Sequence, residues 1–240
     1  MLTIQSNVSL LPYTTFRIPV QAKYFVEITS EDDLPELFAS PLFQQERKQI
    51  LGGGAKTFFT KDFEGLVIKV SIKGISRLPK DSTADNNPPI IVRVGAGQDR
   101  SEFVHHANHQ GRAGIENLVS IPGNVGTAPF SNIGSYGVEV GACITQVTGY
   151  DLATGAKQTF SHQQCQFGYR TSIFKTALRD KFLITAVKFQ LQPFDGSYQF
   201  ITDYPDVQSV LNGRRPTSLA EMSQIIADIR AQKLPDVKKI

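Results

Sequence analysis

The chain has 240 residues, of which 40% are hydrophobic and 20% charged, and its formal net charge is +3 at pH 7. This composition is ordinary for a globular protein with a sizeable core, and the absence of any Lys/Arg run longer than two residues argues against a nucleic-acid face. Neither a membrane span nor a signal peptide is predicted. The only cysteines, Cys143 and Cys165, are too few for a disulfide framework and favour a reducing cytoplasm.

The hydrophobic pattern predicts an α+β chain with strands along its whole length. Alternation at 187–192 places Val187, Phe189 and Leu191 on one face, as in a half-buried strand. A hairpin is predicted over 148–160, and the polar residues 80–89 are predicted to form an exposed loop. The remaining strands are predicted at 24–29, at the start of 49–59, at 65–70 and at 90–98.

Capping residues mark the starts of the predicted helices. Ser30 with Asp33 resembles a capping box before a short helix, and Ser218 with Glu221 forms another. Residues 99–111 are predicted as a helix that ends at Gly111. The helix predicted at 218–230 carries apolar residues at helical spacing, namely Leu219, Met222, Ile225, Ile226 and Ile229.

Two glycine-rich segments are candidates for contact with a phosphate. Residues 52–56, GGGAK, follow a predicted strand directly, and glycines let main-chain N–H groups approach a phosphate, although a plain tight turn explains them equally well. Residues 121–141 combine five glycines and two prolines with apolar residues of the core type. Two such loops suit a long diphosphate ligand such as a dinucleotide, whereas a buried irregular crossover would leave main-chain groups unpaired.

Two further features are candidates for chemistry: a group of histidines and a single arginine. His105 and His109, with His106 between them, lie one turn apart on a predicted helix, as zinc-binding pairs do. No acidic or cysteine ligand stands nearby at ligand spacing, so a surface helix is favoured and no metal is expected. Arg170 lies in FGYR, an aromatic frame that can hold a guanidinium toward a carboxylate or phosphate, and an ordinary surface arginine is the equal alternative.

Several of these segments, in this order, resemble the UDP-N-acetylenolpyruvoylglucosamine reductase family. The long glycine loop together with FGYR is highly specific for it, whereas the triple-glycine turn alone is a weak signal. The likeness runs nearly from end to end, through PYTTFRI, ILGGG, IPGNVGTAPFSNIGSYGVEV, QCQFGYRTSIFK, DYPDV and IRAQKLPD.

The resemblance implies an α+β fold containing the two-subdomain FAD-binding module of vanillyl-alcohol-oxidase-type flavoenzymes. It divides the chain into FAD-binding subdomains at 1–75 and 76–200 and the beginning of a substrate-binding domain at 201–240. FAD is the implied cofactor, NADPH the hydride donor and a UDP-sugar the substrate. The implied reaction reduces an enolpyruvyl group to give UDP-N-acetylmuramate for peptidoglycan synthesis in the cytoplasm, without a nucleic-acid or membrane partner.

The resemblance also assigns roles to individual residues. Arg170 would polarise the substrate carboxylate, where negative charge builds during reduction. The residues expected to hold the substrate are Tyr136, Tyr204, Arg230 and Lys233. The residues expected to hold the cofactor are Gly52, Gly53, Gly54, Ala55, Lys56, Pro122, Gly123, Gly126, Thr127, Ala128, Asn132, Ile133 and Gly134, and Gly126→Val is expected to abolish flavin retention while sparing the fold.

The sequence departs from the family pattern in three places. Ala55 and Lys56 replace the usual Ser-Asn, and Thr171 replaces the Asp that normally follows the motif arginine. The sequence also stops before the family's serine proton donor and its glutamate partner. We therefore expect these 240 residues to bind FAD with reduced affinity and to turn over little substrate. The apolar face of the helix at 218–230 should be exposed and favour self-association unless that face folds back. The alternative is a shortened, non-catalytic relative that binds a flavin or a nucleotide.

Overall fold

The structure is a computed structural model that describes residues 2–79 and 88–234. The predicted polar loop at 80–89 therefore lies outside the described residues except for its last two positions. The described residues form two sheets of four and six strands and one two-stranded ribbon. Within these ranges, no helix combines the length and hydropathy that crossing a bilayer demands.

The first sheet contains four strands, β1 (Gln5–Ser9), β2 (Gln21–Ile28), β3 (Lys48–Leu51) and β4 (Phe63–Val70). Their order is β1-β2-β4-β3, with β1 antiparallel to β2 and with β2 and β3 parallel to β4. Two short helices, α1 (Leu34–Ala39) and α2 (Pro41–Gln45), lie in the crossover between β2 and β3. The predicted capping box of Ser30 and Asp33 is confirmed at the start of this crossover.

The other strands are β5 (Ile75–Arg77), β6 (Ile90–Gly95), β7 (Arg112–Ala113), β8 (Gly134–Ser135), β9 (Val138–Glu139), β10 (Ile144–Asp151), β11 (Lys157–Ser161) and β12 (Phe182–Pro193). The second sheet has the order β11-β10-β12-β6-β5, all antiparallel, with β7 paired to the end of β12. β8 and β9 form the ribbon. The predicted hairpin is the pair β10–β11, and the predicted alternation in β12 is confirmed, because Val187, Phe189 and Leu191 are all buried.

Three helices complete the second half: α3 (Arg100–His109), α4 (Pro205–Leu211) and α5 (Leu219–Lys233). Asp99 caps α3, and Ser218 caps α5 by accepting a hydrogen bond from the N–H of Glu221. The apolar residues of all three helices belong to the same buried cluster as the inner face of the second sheet.

The apolar face of α5 is buried, which is the folded-back arrangement that the sequence analysis gave as the exception to exposure. Leu219, Met222, Ile225, Ile226 and Ile229 are at most 7% exposed. The helix folds back on α3 and on the 3-10 turn at Glu116–Leu118, where Ser223 accepts a hydrogen bond from Asn108 Nδ2 of α3 at 2.8 Å and donates one to the carbonyl of Glu116 at 3.0 Å. This packing leaves no apolar stripe on α5 to drive self-association.

A cluster around Glu31 joins the two sheets. Glu31 lies just before α1, and its carboxylate accepts hydrogen bonds from Thr185 at 2.8 Å, Arg93 at 3.1 Å, Lys157 at 2.5 Å and Tyr150 at 3.2 Å. All four donors stand on strands of the second sheet. The sheets are therefore fixed to each other by one carboxylate with four hydrogen-bond partners.

Candidate functional site

A cavity of about 530 Å³ lies between the two sheets. Its volume falls in the range of small-molecule and cofactor pockets. The turn after β3, at 52–57, forms one wall, and parts of the long glycine loop form another. The segment at 170–184, which leads into β12, supplies apolar side chains and three charged ones.

Glycines allow these two loops to pack directly on each other. A Cβ on Gly53 would lie 2.6 Å from the Cα of Gly123, and one on Gly52 would collide with the side chain of Thr127. Gly54 has a positive φ of 64°, and a Cβ there would collide with the carbonyl of Tyr13. Side chains at these positions would force the loops apart, so the loops face the cavity largely with main chain.

Gly126 packs against the second sheet, which changes the expected effect of Gly126→Val. A Cβ on Gly126 would lie 2.5 Å from the Cβ and 3.0 Å from the Cα of Ala96, which follows β6. The main chains of the two residues are also hydrogen-bonded, from the N–H of Gly126 to the carbonyl of Ala96 at 2.8 Å. A valine would displace backbone, so the expectation that the fold would be spared was wrong.

The cavity wall carries an excess of positive charge. Four cationic side chains line it, those of Lys56, Arg100, Arg170 and Lys175, and among the described residues Asp180 is the one carboxylate in the wall. Arg100 is 5% exposed, whereas Lys56, Arg170 and Lys175 are exposed to solvent. A wall of this charge favours an anionic ligand.

The structure brings most of the predicted cofactor residues to this cavity. Three lie outside its wall: Ala128 is buried in the core, Asn132 is 2% exposed and Gly134 lies in β8. The residues in the wall are Gly52, Gly53, Gly54, Ala55, Lys56, Pro122, Gly123, Gly126, Thr127 and Ile133.

Asn132 fixes the shape of the long glycine loop from within. Its backbone is left-handed, with a φ of 42°, and its side-chain NH₂ donates to Glu139 at 2.7 Å and to the carbonyl of Gly168 at 3.1 Å. Its side-chain oxygen accepts from the N–H of Gly141 at 2.8 Å. The contacts to Gly168 and Gly141 tie the loop to the FGYR segment and to the residues before β10.

Arg170 stands at the edge of the cavity beside β8. Its guanidinium donates to the carbonyl of Gly134 at 2.9 Å, and its own carbonyl accepts a hydrogen bond from Lys175 at 2.8 Å. Gly168 and Thr171 exchange two main-chain hydrogen bonds around it, and its φ is +54°. Left-handed backbone at a non-glycine residue costs energy and is concentrated at functional sites.

The four predicted substrate residues lie together in a second cluster, outside the cavity wall. The rings of Tyr136 and Tyr204 meet edge to face, with centroids 5.0 Å apart, and Lys233 pairs with Asp206 at 2.5 Å. Burial raises the pKa of Tyr136, and the nearby charge of Arg230 opposes that rise. Tyr136 shares the left-handed backbone of Arg170, with a φ of 47°.

Three charged residues of the wall were missed by sequence reasoning, Arg100, Lys175 and Asp180, and Arg100 is the buried one. The segment DRSEF was interpreted only as the start of a helix, and an arginine at that position gives no local sign that the fold will bury it. His105 and His109 lie on the exposed face of the same helix, as predicted. No group of three His, Cys, Asp or Glu residues in the described ranges is arranged to hold a metal, and both cysteines are free thiols.

Comparisons with known proteins place this fold and cavity in a class. The family model described as "FAD binding domain" matches residues 22–160. The UDP-N-acetylenolpyruvylglucosamine reductase of Thermus caldophilus has the same fold, with a TM-score of 0.63 and 21% identity over 98% of this chain and 72% of that one. A mutant cholesterol oxidase from Brevibacterium sterolicum matches with a TM-score of 0.55 and 12% identity over 80% of this chain and 38% of that one. The chain thus contains an FAD-binding domain of the vanillyl-alcohol-oxidase type.

Curated relatives define the family within that class. A reductase of Chromobacterium violaceum is 40% identical over 98% of this chain and 67% of the relative, and one of Flavobacterium johnsoniae is 36% identical over 99% and 68%. Both are named UDP-N-acetylenolpyruvoylglucosamine reductase. The chain belongs to the UDP-N-acetylenolpyruvoylglucosamine reductase family and spans about two thirds of the length of these relatives.

Proposed function

We propose that this protein is a flavoenzyme that reduces the enolpyruvyl group of UDP-N-acetylglucosamine enolpyruvate to UDP-N-acetylmuramate, with FAD as cofactor and NADPH as hydride donor. The reaction would serve peptidoglycan synthesis in the cytoplasm. The observation that carries the proposal is the cavity between the sheets, with two glycine loops and an excess of positive charge in its wall, in a chain of this family.

The residues of the cavity fit FAD in size, shape and charge. The triple-glycine turn, Pro122, Gly123 and Thr127 would hold the diphosphate end, because their main chain and hydroxyl can approach it closely. Ile133 and the apolar side chains before β12 would shield the ring system from water. FAD bound there would supply the hydride-carrying group between NADPH and the substrate.

The substrate would lie between the cavity and the second cluster. Tyr136, Tyr204, Arg230 and Lys233 would hold its UDP portion, since they combine aromatic rings with cationic side chains. Gly134 accepts a hydrogen bond from Arg170 and lies two residues before Tyr136, so the two sites are adjacent along β8. An elongated substrate can therefore contact both.

Arg170 would stabilise the charge that develops in the reaction. Hydride addition to a double bond conjugated with a carboxylate builds negative charge on that carboxylate. A guanidinium held in place by the Gly134 carbonyl presents a planar fork to it without reorganisation.

The proposal is tested by spectroscopy and product analysis on the purified protein. We expect a yellow protein with flavin absorbance. A version that also carries the family's serine proton donor and glutamate should consume NADPH in a manner that depends on the UDP-enolpyruvyl sugar and should form UDP-N-acetylmuramate, detected by mass spectrometry, whereas these 240 residues alone should form little product. A colourless protein that does not bind added FAD would overturn the assignment and favour a nucleotide-binding relative. A yellow protein whose NADPH oxidation reduces only oxygen would support the non-catalytic alternative.

A further inference from the structure

We propose that Arg100 is a positioning residue for the cofactor: it supplies the buried positive charge for the diphosphate and fixes the loop that receives it. This inference rests on the proposed function. Arg100 is the first residue of α3 and lies in the cavity wall, yet its side chain is almost fully enclosed by protein.

Hydrogen bonds from Arg100 hold the long glycine loop. Its guanidinium donates to the carbonyls of Pro122 at 3.4 Å and Asn124 at 3.1 Å and to the hydroxyl of Thr127 at 3.0 Å. Its main-chain N–H donates to the carbonyl of Gly123 at 3.1 Å. One side chain therefore fixes the loop segment that packs on the triple-glycine turn.

These contacts leave donors of Arg100 unused. A guanidinium carries five N–H donors, and the three hydrogen bonds above occupy the two terminal nitrogens. The buried Nε has no acceptor among the described residues. A buried donor without an acceptor is costly, and a negative charge brought to the neighbouring cavity wall would offset part of that cost.

Among the described residues no carboxylate is hydrogen-bonded or ion-paired to the guanidinium of Arg100, and the neighbouring Asp99 offsets the effect of burial on its pKa only in part. Its three acceptors are uncharged, and the carboxylate of the neighbouring Asp99 is hydrogen-bonded to the N–H of Glu102. Burial lowers the pKa of Arg100 to about 10, so the side chain remains cationic at neutral pH. A buried charge of this kind is destabilising unless an anion approaches it.

A diphosphate is the anion that matches this position. Arg100 lies beneath the place where the two glycine loops meet, and their main-chain groups and Lys56 surround the same part of the cavity. Both FAD and a UDP-sugar contain a diphosphate. The structure favours that of FAD, because the residues proposed for UDP lie outside this cavity wall.

The experiment compares Arg100→Gln and Arg100→Lys with a control, Arg112→Gln. Arg112 is also buried, at 8% exposure, but it lies in β7, away from the cavity wall. Dissociation constants for FAD, riboflavin and UDP are measured by fluorescence and calorimetry. The thermal unfolding temperature of the flavin-free protein reports the effect of each substitution on stability.

We expect Arg100→Gln to weaken FAD binding by at least about tenfold, as loss of a charged hydrogen-bond partner would. Riboflavin, which lacks the diphosphate, and UDP should be affected by less than about threefold, since neither places a phosphate beside Arg100. Arg100→Lys should recover part of the loss because it keeps the charge, and Arg112→Gln should bind FAD as the wild type does.

Equal loss of FAD and riboflavin binding, without recovery in Arg100→Lys, would show that Arg100 only holds the long glycine loop in place. That result would overturn the inference. Selective loss of UDP binding would assign the charge to the substrate and overturn it too. If Arg100→Gln does not fold, the inference is tested instead by NMR of the arginine side chains in the wild type. The Arg100 Nε–H signal should shift with FAD but not with riboflavin, and an unchanged signal overturns the inference. A wild type that does not bind FAD overturns the proposed function as well.

Discussion

Two polar clusters lie where the two sheets meet, and they differ in whether their charged groups have partners within the chain. In the Glu31 cluster, one carboxylate receives hydrogen bonds from two cations and two hydroxyl groups, all within the chain. In the cavity wall, four cations face a single carboxylate among the described residues, and Arg100 is buried without a carboxylate partner. The first cluster is complete as it stands, whereas the second needs an anion.

This difference teaches how the interface between the sheets is used. The Glu31 cluster, whose one carboxylate has four hydrogen-bond donors, holds the two sheets together at one point, and the cavity lies between the sheets at another. Glycine loops then bring main chain to the cavity, and the excess of cations selects an anionic ligand. Stability and binding are thus separated in space, and substitutions at the two places should have separable effects.

The largest effect is expected from Gly126→Val, which breaks the wall of the cavity itself. The new side chain would collide with the Cβ and backbone of Ala96, so we expect a loss of about 3 kcal/mol or more in the free energy of unfolding. FAD retention should be lost with it. Denaturant unfolding and flavin absorbance measure the two effects.

Gly196→Val is the matched control, because a Cβ on Gly196 would meet nothing within 4 Å. It should change stability by less than about 0.5 kcal/mol. A Gly126→Val protein with wild-type stability that has lost only its flavin would show that Gly126 faces the ligand rather than the sheet.

Arg170→Ala is expected to slow the reaction with substrate rather than to weaken FAD binding. This would distinguish Arg170 from Arg100, whose substitution should weaken FAD binding. The rate at which reduced flavin is reoxidised by the UDP-enolpyruvyl sugar should fall about a hundredfold to a thousandfold, as for other residues that stabilise developing charge. FAD should bind within about threefold of wild type, because Arg170 is an exposed residue at the edge of the site. Stopped-flow measurements of the full-length protein give the rate.

Arg170→Lys should recover little of that rate, since an ammonium does not reproduce the planar fork. Arg179→Ala is the control, because Arg179 is exposed and is paired with Asp180 at 3.6 Å. Unchanged reoxidation in Arg170→Ala would leave Arg170 with a structural role, as the residue that holds Gly134.

Glu31→Gln tests the Glu31 cluster and should reduce stability with little effect on FAD affinity. The glutamine cannot pair with both Arg93 and Lys157, and we expect a loss of about 2 kcal/mol in the free energy of unfolding at pH 7. Loss of FAD binding as large as the Arg100→Gln effect would contradict the separation of the two clusters.

The same variant should change the dependence of stability on pH. Burial opposes ionisation of Glu31, but the hydrogen bonds from Lys157 and Thr185 and the charge of Arg93 outweigh it and lower its pKa. The carboxylate therefore contributes stability above the ordinary glutamate pKa of about 4.3, and the contribution is lost as the pH falls through the lower folded-state value. Wild type should lose more stability than Glu31→Gln between pH 7 and acid, and parallel curves would contradict this account.

The sequence predicted local features well and long-range ones poorly. The capping box of Ser30 and Asp33, the β10–β11 hairpin and the alternation of β12 are confirmed, because each depends on residues close in the chain. The predicted box at Ser218 is half formed, since Glu221 donates its N–H to Ser218 but its carboxylate accepts from Thr217. Strand β5, helix α4 and the burial of Arg100 gave no local signal. The contact of Gly126 with Ala96 joins segments 30 residues apart, and the fold-back of α5 joins residues more than 100 apart, as in the contact of Ser223 with Glu116.

The candidate site shows the same division. The two glycine loops were recognised from composition, with a tight turn left open for the triple-glycine segment, but the contacts between the two loops that several glycines allow were not predicted. The resemblance to a family assigned both Tyr136 and Tyr204 to the substrate, but the contact between their rings was not predicted, because no pattern within the sequence connects residues so far apart. The role of each site residue stays a prediction until its variant is measured.

The smallest effect is expected at Lys56, where the sequence departs from the family's usual Ser-Asn. Lys56 is exposed at the cavity wall, in contrast to the buried Arg100. An exposed cation near a phosphate contributes about 0.5 kcal/mol, and so Lys56→Gln should weaken FAD binding about twofold to threefold. Because solvent screens an exposed charge, this difference should shrink at high salt, whereas the Arg100→Gln effect should persist. Titration of both variants with FAD at low and high salt makes the comparison, and Lys61→Gln, outside the cavity wall, serves as the control. A Lys56→Gln effect as large as that of Arg100→Gln, and equally insensitive to salt, would show that the triple-glycine turn carries the main anion contact.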